Sequence, residues 1–434
     1  MGTVIMVAQL VLALVILIGL HEFGHMIAAK AFGMRVEKFY IGFPPKLFGF
    51  KKGETEYSLG AIPLGGFVKI TGMIDESLDT ESLSKEPEPY EFRAKPAWQR
   101  LIVMLGGIIM NVILGVLVFI GITYYYGETD VPKEEIYKYG IQAEDLGQQL
   151  GFETGDKIIA VNGADYENFS DLVNMQIFFE EQLKYTVVRG DDTLKIGVPS
   201  DFLDQLSESK SFITYRWPFR IGRVEGGSFA DEAGLKPDDK IIAINGEKVA
   251  LFDELQAALQ NNAGQEVSLK VERDDEVITL QSEVSETGTL GFYPVSEGLQ
   301  STRNFSLGES IPIGTKLAFS QIGLQVKAFG KMFAGDIDPR KSMSGPIKIA
   351  QSFGEDWIWS RFWGLVGLIS MVLAFMNLLP IPALDGGHVA FLSYEIISGR
   401  KPSDKFLENA QKVGMVLLLA LMAFILGNDI ISVI

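Results

Sequence analysis

The sequence His21-Glu22-Phe23-Gly24-His25 follows the uncharged apolar run Leu10–Leu20 without a break. On a helix, two histidines four positions apart lie on one face, which suits joint binding of a zinc ion. The glutamate between them is placed to act as a general base beside such an ion. Ionisable residues are costly inside a bilayer, so their presence in an apolar segment indicates function. This stretch therefore predicts a membrane-spanning helix that carries metal chemistry.

A second polar cluster closes another apolar stretch. Residues 377–388 read Asn-Leu-Leu-Pro-Ile-Pro-Ala-Leu-Asp-Gly-Gly-His and contain the last of the three histidines in the chain. A catalytic zinc ion usually has three protein ligands and one open position. Because the chain has no cysteine, the third ligand must be a carboxylate or His388.

Depth in the membrane favours Asp385 as this third ligand. His21 lies about 17 residues into its helix, roughly 25 Å at 1.5 Å per residue, and Asp385 lies at the far end of its own segment. Both reach the same half of the bilayer if the two segments run in the same direction. The prolines of the second segment end its helix and let the carboxylate turn inward. The predicted Zn²⁺ ligands are therefore His21, His25 and Asp385, and Glu22 is left to act as the base.

Three further polar residues lie in apolar segments. Asn377 either hydrogen-bonds the substrate backbone or a developing oxyanion, or it joins two helices. His388 either orients a ligand or stabilises the transition state, or it is an ordinary histidine at the membrane interface. Asn111 ends the motif Gly107–Asn111, whose glycine favours close helix packing, and it is predicted to line the site.

Apolar residues cluster in four stretches of membrane-spanning length, at about 4–31, 101–124, 360–382 and 410–432. The net charge of −17 resides between residues 127 and 356, where 39 acidic residues face 22 basic ones, while the rest of the chain has 16 of each. A soluble acidic body is therefore inserted between the second and third segments. Its acidity excludes nucleic acid as a partner, and the predicted environment of the other segments is the lipid bilayer.

Basic residues flank the apolar segments on one side of the membrane. This pattern places both termini and the acidic insert outside, and the metal site towards the cytoplasmic face of the membrane. The flanking residues are Lys30, Arg35, Lys38, Arg93, Lys95, Arg100, Arg400, Lys401 and Lys405.

Within residues 46–69, the stretch Phe48–Leu59 has a hairpin pattern with a Gly-containing turn and is followed by the Gly- and Pro-rich run Gly60–Val68. This run is too short to cross a membrane. It is predicted to be an irregular re-entrant element beside the metal site, where Gly65 and Gly66 contribute to substrate binding by strand addition. The alternative is a surface hairpin.

The acidic insert contains a repeat. Residues 151–163 return as residues 234–246, with eight of thirteen positions identical, and each copy ends in an Asn-Gly turn. Helical patterns follow at 168–182 and 251–260. The repeated motif resembles the Gly-Asp-x-Ile-x-x-Ile-Asn-Gly segment of PDZ domains, which bind peptides at a sheet edge. The pair either binds peptides or forms a steric gate.

Apolar residues recur at helical spacing between 299 and 357, with lysines interspersed. This pattern predicts an amphipathic helix that lies against the membrane or against the repeat pair. The predicted fold is an α-helical polytopic membrane protein with four transmembrane helices, a membrane-associated β-hairpin, and two tandem α+β PDZ domains between helices 2 and 3. The predicted divisions are 1–124, 125–205, 206–298, 299–358 and 359–434.

Taken together, HEFGH, the Gly-rich segment, Gly107–Asn111, the tandem repeat and Leu384-Asp385-Gly386-Gly387-His388 resemble the site-2 protease family of intramembrane metalloproteases, and most closely its bacterial branch that regulates sigma-E. The resemblance implies that His21, His25 and Asp385 bind zinc and that Glu22 is catalytic. It also implies transmembrane substrates such as anti-sigma factors, cut after a first protease has shed their external domain, and remnant signal peptides.

Two rival functions remain at this stage. The first is an inactive membrane scaffold with peptide-binding PDZ domains, which has no need of the glutamate or the complete ligand set. The second is a metal transporter, which would carry polar positions in several segments.

Overall fold

The computed structural model describes residues 2–73, 86–180, 182–199, 201–208, 211–296, 298–342 and 345–433. The chain divides into two compact units, Met1–Gly127 with Asn304–Ile434, and Glu128–Arg303. With elements numbered along the whole chain, the first unit contains α1 (Gly2–Ala31), β1 (Val36–Lys52), β2 (Thr55–Ile70), α2 (Ala97–Tyr126), α9 (Leu307–Ala334), α10 (Pro339–Ser342), α11 (Pro346–Phe353), α12 (Trp359–Leu378), α13 (Asp385–Ser398) and α14 (Asp404–Val433).

Four helices in the described part of the chain are long and apolar enough to cross a membrane, namely α1, α2, α12 and most of α14. The four predicted segments are thereby confirmed. The third is shorter than predicted and ends at Leu378 rather than at 382. Pro380 causes this early end, because the residue before a proline avoids the helical region and Leu379 is already extended.

The stretch after the third apolar segment contains a further helix, α13, which the sequence reading did not predict. It begins at Asp385 itself and ends at Gly399, which has a left-handed backbone. The carboxylate of Asp385 therefore lies at a helix N-terminus, where the helix dipole favours negative charge.

The helix predicted between 299 and 357 forms as α9 and packs against α2 and α12 within the first unit. Gly314 allows this close approach, because a Cβ at that position would lie 2.5 Å from Cα of Ile120. The rings of Phe329 and Phe375 meet at 5.6 Å between centroids. Its packing partners within the first unit are therefore two membrane-crossing helices.

The predicted hairpin is longer than expected and folds back on itself. Segment 36–41 pairs with 56–59 on one side and with 66–70 on the other, while 46–52 pairs with 55–60, which gives four adjacent extended segments from two long strands. The run Gly60–Val68 is therefore extended chain within β2, as the predicted β element requires, and register shifts between Ile41 and Phe48 of β1 interrupt its pairing. Ladder pairing satisfies backbone groups on both sides of these shifts.

The second unit contains the remaining strands and helices. They are β3 (Glu128–Asp130), α3 (Lys133–Tyr139), β4 (Ile141–Ala143), α4 (Asp145–Leu150), β5 (Lys157–Val161), α5 (Phe169–Val173), β6 (Lys184–Arg189), β7 (Asp192–Gly197), α6 (Phe202–Glu208), β8 (Ile213–Tyr215), β9 (Phe219–Val224), α7 (Phe229–Glu232), β10 (Lys240–Ile244), β11 (Glu247–Lys248), α8 (Phe252–Asn261), β12 (Glu266–Arg273), β13 (Glu276–Glu283), β14 (Phe292–Ser296) and β15 (Ser301–Arg303).

Each copy of the repeat builds its own hydrophobic core. In each copy a buried aspartate, Asp156 or Asp239, receives two hydrogen bonds from an arginine of the next long strand, Arg189 or Arg273, at 2.7–2.8 Å. The paired geometry explains why the aspartate recurs in the motif, since a buried carboxylate needs donors.

The boundary between the copies lies later than the predicted 205/206. Phe212 and Ile213 belong to the first core, because β8 pairs with β4 and returns the chain to it. Leu299 belongs to the first core too, and β15 pairs with β3. The unit therefore closes at Arg303 rather than at 298.

The helix predicted over 168–182 is wrong in extent, since α5 ends at Val173. The side chain of Asn174 accepts a hydrogen bond from the backbone N–H of Gln176 at 2.9 Å and replaces the helical pattern with a turn. The corresponding helix after the second copy forms as predicted.

Candidate metal centre

The site is built where α1 crosses α2 at very short range. A Cβ on Gly106 would lie 2.6 Å from the carbonyl oxygen of Gly24, and a Cβ on Gly107 would lie 2.6 Å from Cε1 of His21. Glycines at these positions let the two backbones approach until α2 lies directly against both imidazoles.

Three ligand atoms converge beside this crossing. Nε2 of His21 and Nε2 of His25 lie 3.1 Å and 3.4 Å from Oδ2 of Asp385, and 3.2 Å from each other. Within the described residues, Oδ2 of Asp385 is buried and has no hydrogen-bond partner. Two imidazole nitrogens and one carboxylate oxygen within 4.8 Å of one another form a donor set that fits zinc.

Asp385 supplies the negative charge of this set. Burial by itself raises the pKa of the Asp385 carboxyl, but the two neighbouring imidazoles outweigh burial and hold that pKa below its usual range. The group is therefore a carboxylate, which is the form that binds metal.

Both histidines are oriented by groups of α2. Nδ1 of His25 lies 2.8 Å from the carbonyl oxygen of Val103, to which it donates when the ring presents an unprotonated Nε2. Nδ1 of His21 lies 3.2 Å from the side-chain amide of Asn111. Hydrogen bonds of this kind select the tautomer and the ring orientation that metal binding requires.

Of the other predicted site residues, Asn377 and Gly66 lie beside His21 and Glu22, whereas Gly65 and His388 do not. The amide of Asn377 lies 3.4 Å from Nε2 of His21, and a Cβ on Gly66 would lie 3.1 Å from Cγ of Glu22. Gly65 points to the opposite side of its strand, where a Cβ would meet the ring of Phe43 at 2.5 Å. His388 forms no hydrogen bond with the three ligands and lines a separate cavity. Burial lowers the pKa of His388, so the ring is neutral at pH 7.

Comparison with known proteins shows which family the chain belongs to. The model of peptidase family M50 matches residues 9–421. The chain belongs to peptidase family M50. It is therefore a zinc metalloprotease of the site-2 protease type, and the resemblance seen in the sequence is confirmed.

Relatives of this M50 peptidase match it along nearly its whole length. The regulator of sigma-E protease RseP of Escherichia coli K12 is 28% identical over 458 residues, which cover 97% of each chain. Protease RseP of Yersinia pestis is 28% identical over 463 residues, again 97% of each chain. A Neisseria meningitidis serogroup A protein whose name describes a zinc metalloprotease is 28% identical over 447 residues and 97% of each chain.

The sequence reading missed the contribution of α2 to the M50 metal centre. The carbonyl of Val103 carries no side-chain signal and could not have been found. The adjacent glycines Gly106 and Gly107 indicate close helix packing, and only Gly107 entered the prediction. Asn111 was predicted to line the site, and the structure places it against a ligand.

A first prediction concerns Asn111, which holds His21. The NH₂ group of Asn111 faces Nδ1 of His21, while Oδ1 is buried without a partner among the described residues. With the amide turned by 180°, Oδ1 accepts a hydrogen bond from Nδ1–H of His21 and leaves Nε2 free for zinc. We expect Asn111→Leu to weaken zinc binding roughly 10–100-fold, as does loss of a hydrogen-bond partner that orients a metal ligand.

The measurement is a zinc titration against a chelator of known affinity. Ser370→Ala is the matched control, because Ser370 donates to the backbone carbonyl of Asn111 at 2.8 Å and does not touch His21. Wild-type zinc affinity in Asn111→Leu would show that the amide does not orient the ligand.

Proposed function

We propose that this protein is an intramembrane zinc endopeptidase that cuts the transmembrane segments of single-pass membrane proteins in a bacterial inner membrane. The observation that carries the proposal is the convergence of His21, His25 and Asp385 at the end of the apolar helix α1, within a unit that holds all four membrane-crossing helices.

Residues of the chain supply the general base and orient the metal ligands. Bound zinc would lower the pKa of a water molecule towards neutrality and polarise the scissile carbonyl. The carboxylate of Glu22 takes a proton from the attacking water and returns it to the nitrogen of the leaving amine. The carbonyl of Val103 and the amide of Asn111 keep both imidazoles turned towards the metal position.

The substrate backbone must be unwound before it can be cut, because a helix hides its peptide bonds in its own hydrogen-bond ladder. Segment 62–70 has one ladder partner among the described residues, so its other edge is available for an added strand. Gly66 lies on this segment beside Glu22, which would bring an added strand to the base. The amide of Asn377 is placed to donate to the carbonyl oxygen of that strand.

The substrate class is proposed from the named relatives. RseP of Escherichia coli is named as a regulator of sigma-E protease, and by analogy we propose membrane-bound anti-sigma factors and remnant signal peptides as substrates. We further propose that Glu128–Arg303 is a tandem PDZ unit, and that this unit and both termini lie outside the cytoplasm. The unit would exclude substrates that have bulky external domains.

A second prediction tests this gate by excising the unit. Glu128 and Arg303 are ladder partners, so the chain enters and leaves the unit at neighbouring positions and a short Gly-Ser linker can replace it. We expect the wild type to cut only a pre-shortened substrate in membranes. The excised protein should cut the long and the short substrate at similar rates, because His21, Glu22, His25 and Asp385 all lie in the other unit.

The control is the excised protein that also carries Glu22→Gln, which should cut neither substrate. An excised protein that is folded and zinc-loaded, cuts the short substrate and still rejects the long one would place the gate elsewhere in the chain.

A further inference from the structure

A cavity of about 70 Å³ lies beside the metal centre, between the start of α2, α13 and the start of α14. The volume gives room for roughly five water-sized groups, which is about the size of one phosphate group. His388 and Phe391 of α13, Arg100 of α2, and Leu407 and Gln411 of α14 are among the residues that line it. The cavity is distinct from the three zinc ligands, none of which lines it.

Three polar groups of the cavity lack partners within the described residues. Arg100 is 8% exposed and donates from Nε to the carbonyl of Lys95 and from Nη2 to Glu395, which leaves Nη1 unused. Gln411 is 5% exposed and its amide forms no hydrogen bond. The imidazole of His388 forms none either. These three groups line the cavity and have hydrogen-bonding atoms that no described residue uses, so they are free to bind a polar ligand there.

The charge of the cavity favours an anion. Among the described residues, the cationic side chains of Arg93, Arg100 and Lys401 line it and no carboxylate does. The planar guanidinium of Arg100 is suited to a phosphate, and it is held in place over the ring of Phe92 at 6.0 Å.

The position and the apolar walls favour a lipid. Arg100 lies in the first turn of α2, Leu407 and Gln411 lie in the first turns of α14, and α13 follows the end of α12. With each membrane helix crossing once, these ends share one membrane face, at the level of the headgroups. The rings of Phe391 and Phe406 pack together at 5.7 Å beside the cavity and offer an apolar surface to acyl chains.

We propose that this cavity binds one anionic phospholipid, with Nη1 of Arg100, the amide of Gln411 and the N–H of His388 donating to its phosphate. The bound lipid ties α2, α13 and α14 together beside the metal centre. The proposal does not depend on the substrate of the protease.

Native mass spectrometry of the full-length protein in nonionic detergent tests it. The probes are phosphatidylglycerol and phosphatidylcholine with identical short acyl chains. We expect one phosphatidylglycerol to bind about tenfold more tightly than phosphatidylcholine, since both carry the phosphate but the choline cation of phosphatidylcholine would lie beside the cationic lining of the cavity. The double variant Arg100→Gln/Glu395→Gln, which leaves the net charge unchanged, should reduce phosphatidylglycerol binding to the phosphatidylcholine level. Glu395→Gln alone should strengthen phosphatidylglycerol binding.

The matched control is Glu408→Gln/Lys412→Gln, which removes an ion pair of 2.6 Å on an exposed face of α14 and should leave the selectivity unchanged. Equal binding of the two lipids, or a selectivity that survives in the Arg100/Glu395 pair, would overturn the proposal. Displacement of the lipid by equimolar inorganic phosphate would identify a free-phosphate site instead. Displacement by a peptide with a free C-terminal carboxylate would identify a site for the cleaved product.

Discussion

We expect the Glu22→Gln protein to retain its zinc and to cut transmembrane substrates about 10²–10⁴-fold more slowly than the wild type, the range that general-base catalysis contributes. Glutamine has the shape of glutamate but cannot take a proton from water. The ligands His21, His25 and Asp385 are untouched, so the metal centre stays assembled. The measurement pairs single-turnover cleavage with elemental analysis of the same sample.

Glu408→Gln, an identical chemical change on the exposed side of α14, is the control and should cut at the wild-type rate. Turnover near the wild-type rate in Glu22→Gln would remove Glu22 from the role of base. Loss of zinc together with activity would show that the glutamate supports the metal rather than the chemistry.

The Asp385→Asn protein loses both zinc and activity. We expect its zinc affinity to fall more than about 100-fold. Loss of a hydrogen-bond partner that orients a ligand already weakens metal binding roughly 10–100-fold, and Asp385 is itself a ligand. The buried Oδ2 of Asp385 lies 3.1 Å from Nε2 of His21, and an amide oxygen in its place carries no net charge to offset the ion. A chelator competition titration measures the change.

His388→Ala distinguishes the two candidates for the third ligand. The ring of His388 lines the neighbouring cavity and does not join the cluster, so we expect this variant to hold zinc as the wild type does. Unchanged zinc content in Asp385→Asn, with zinc lost in His388→Ala, would make His388 the third ligand.

The membrane helices and the repeat were predictable because their signals are local. Apolar runs of sufficient length placed the four membrane-crossing helices within a few residues of their ends. The Asn-Gly turns of the repeat adopt positive φ at Asn162 and Asn245, as their sequence predicts. Where a boundary was wrong, a single residue such as Pro380 or Asn174 decided it.

The folded-back sheet was not predictable, because its register depends on pairing between distant positions. Tyr40 pairs with both Ser58 and Phe67, and no period in the sequence specifies two partners for one residue. Apolar alternation alone is compatible with a simple hairpin or with the four adjacent segments that form.

The cluster of candidate metal ligands could be predicted from the sequence, but the hydrogen bonds that orient these ligands could not. Few residue types bind zinc, and the chain has three histidines and no cysteine, so elimination left a carboxylate or His388 as the third ligand, and depth in the membrane favoured Asp385. The contacts that orient them join residues 78 and 90 positions apart, one through a backbone carbonyl. Such contacts follow from how closely two helices approach, which is a property of the folded chain.

We propose that this metal centre cuts peptide bonds inside the membrane. The most direct test incubates the purified, zinc-loaded protein with a single-helix substrate in lipid vesicles and maps the products by mass spectrometry. We predict a cut within the apolar segment that chelation abolishes and added zinc restores. Cuts confined to the polar flanks of the substrate, or cleavage that persists after the zinc has been removed, would contradict it.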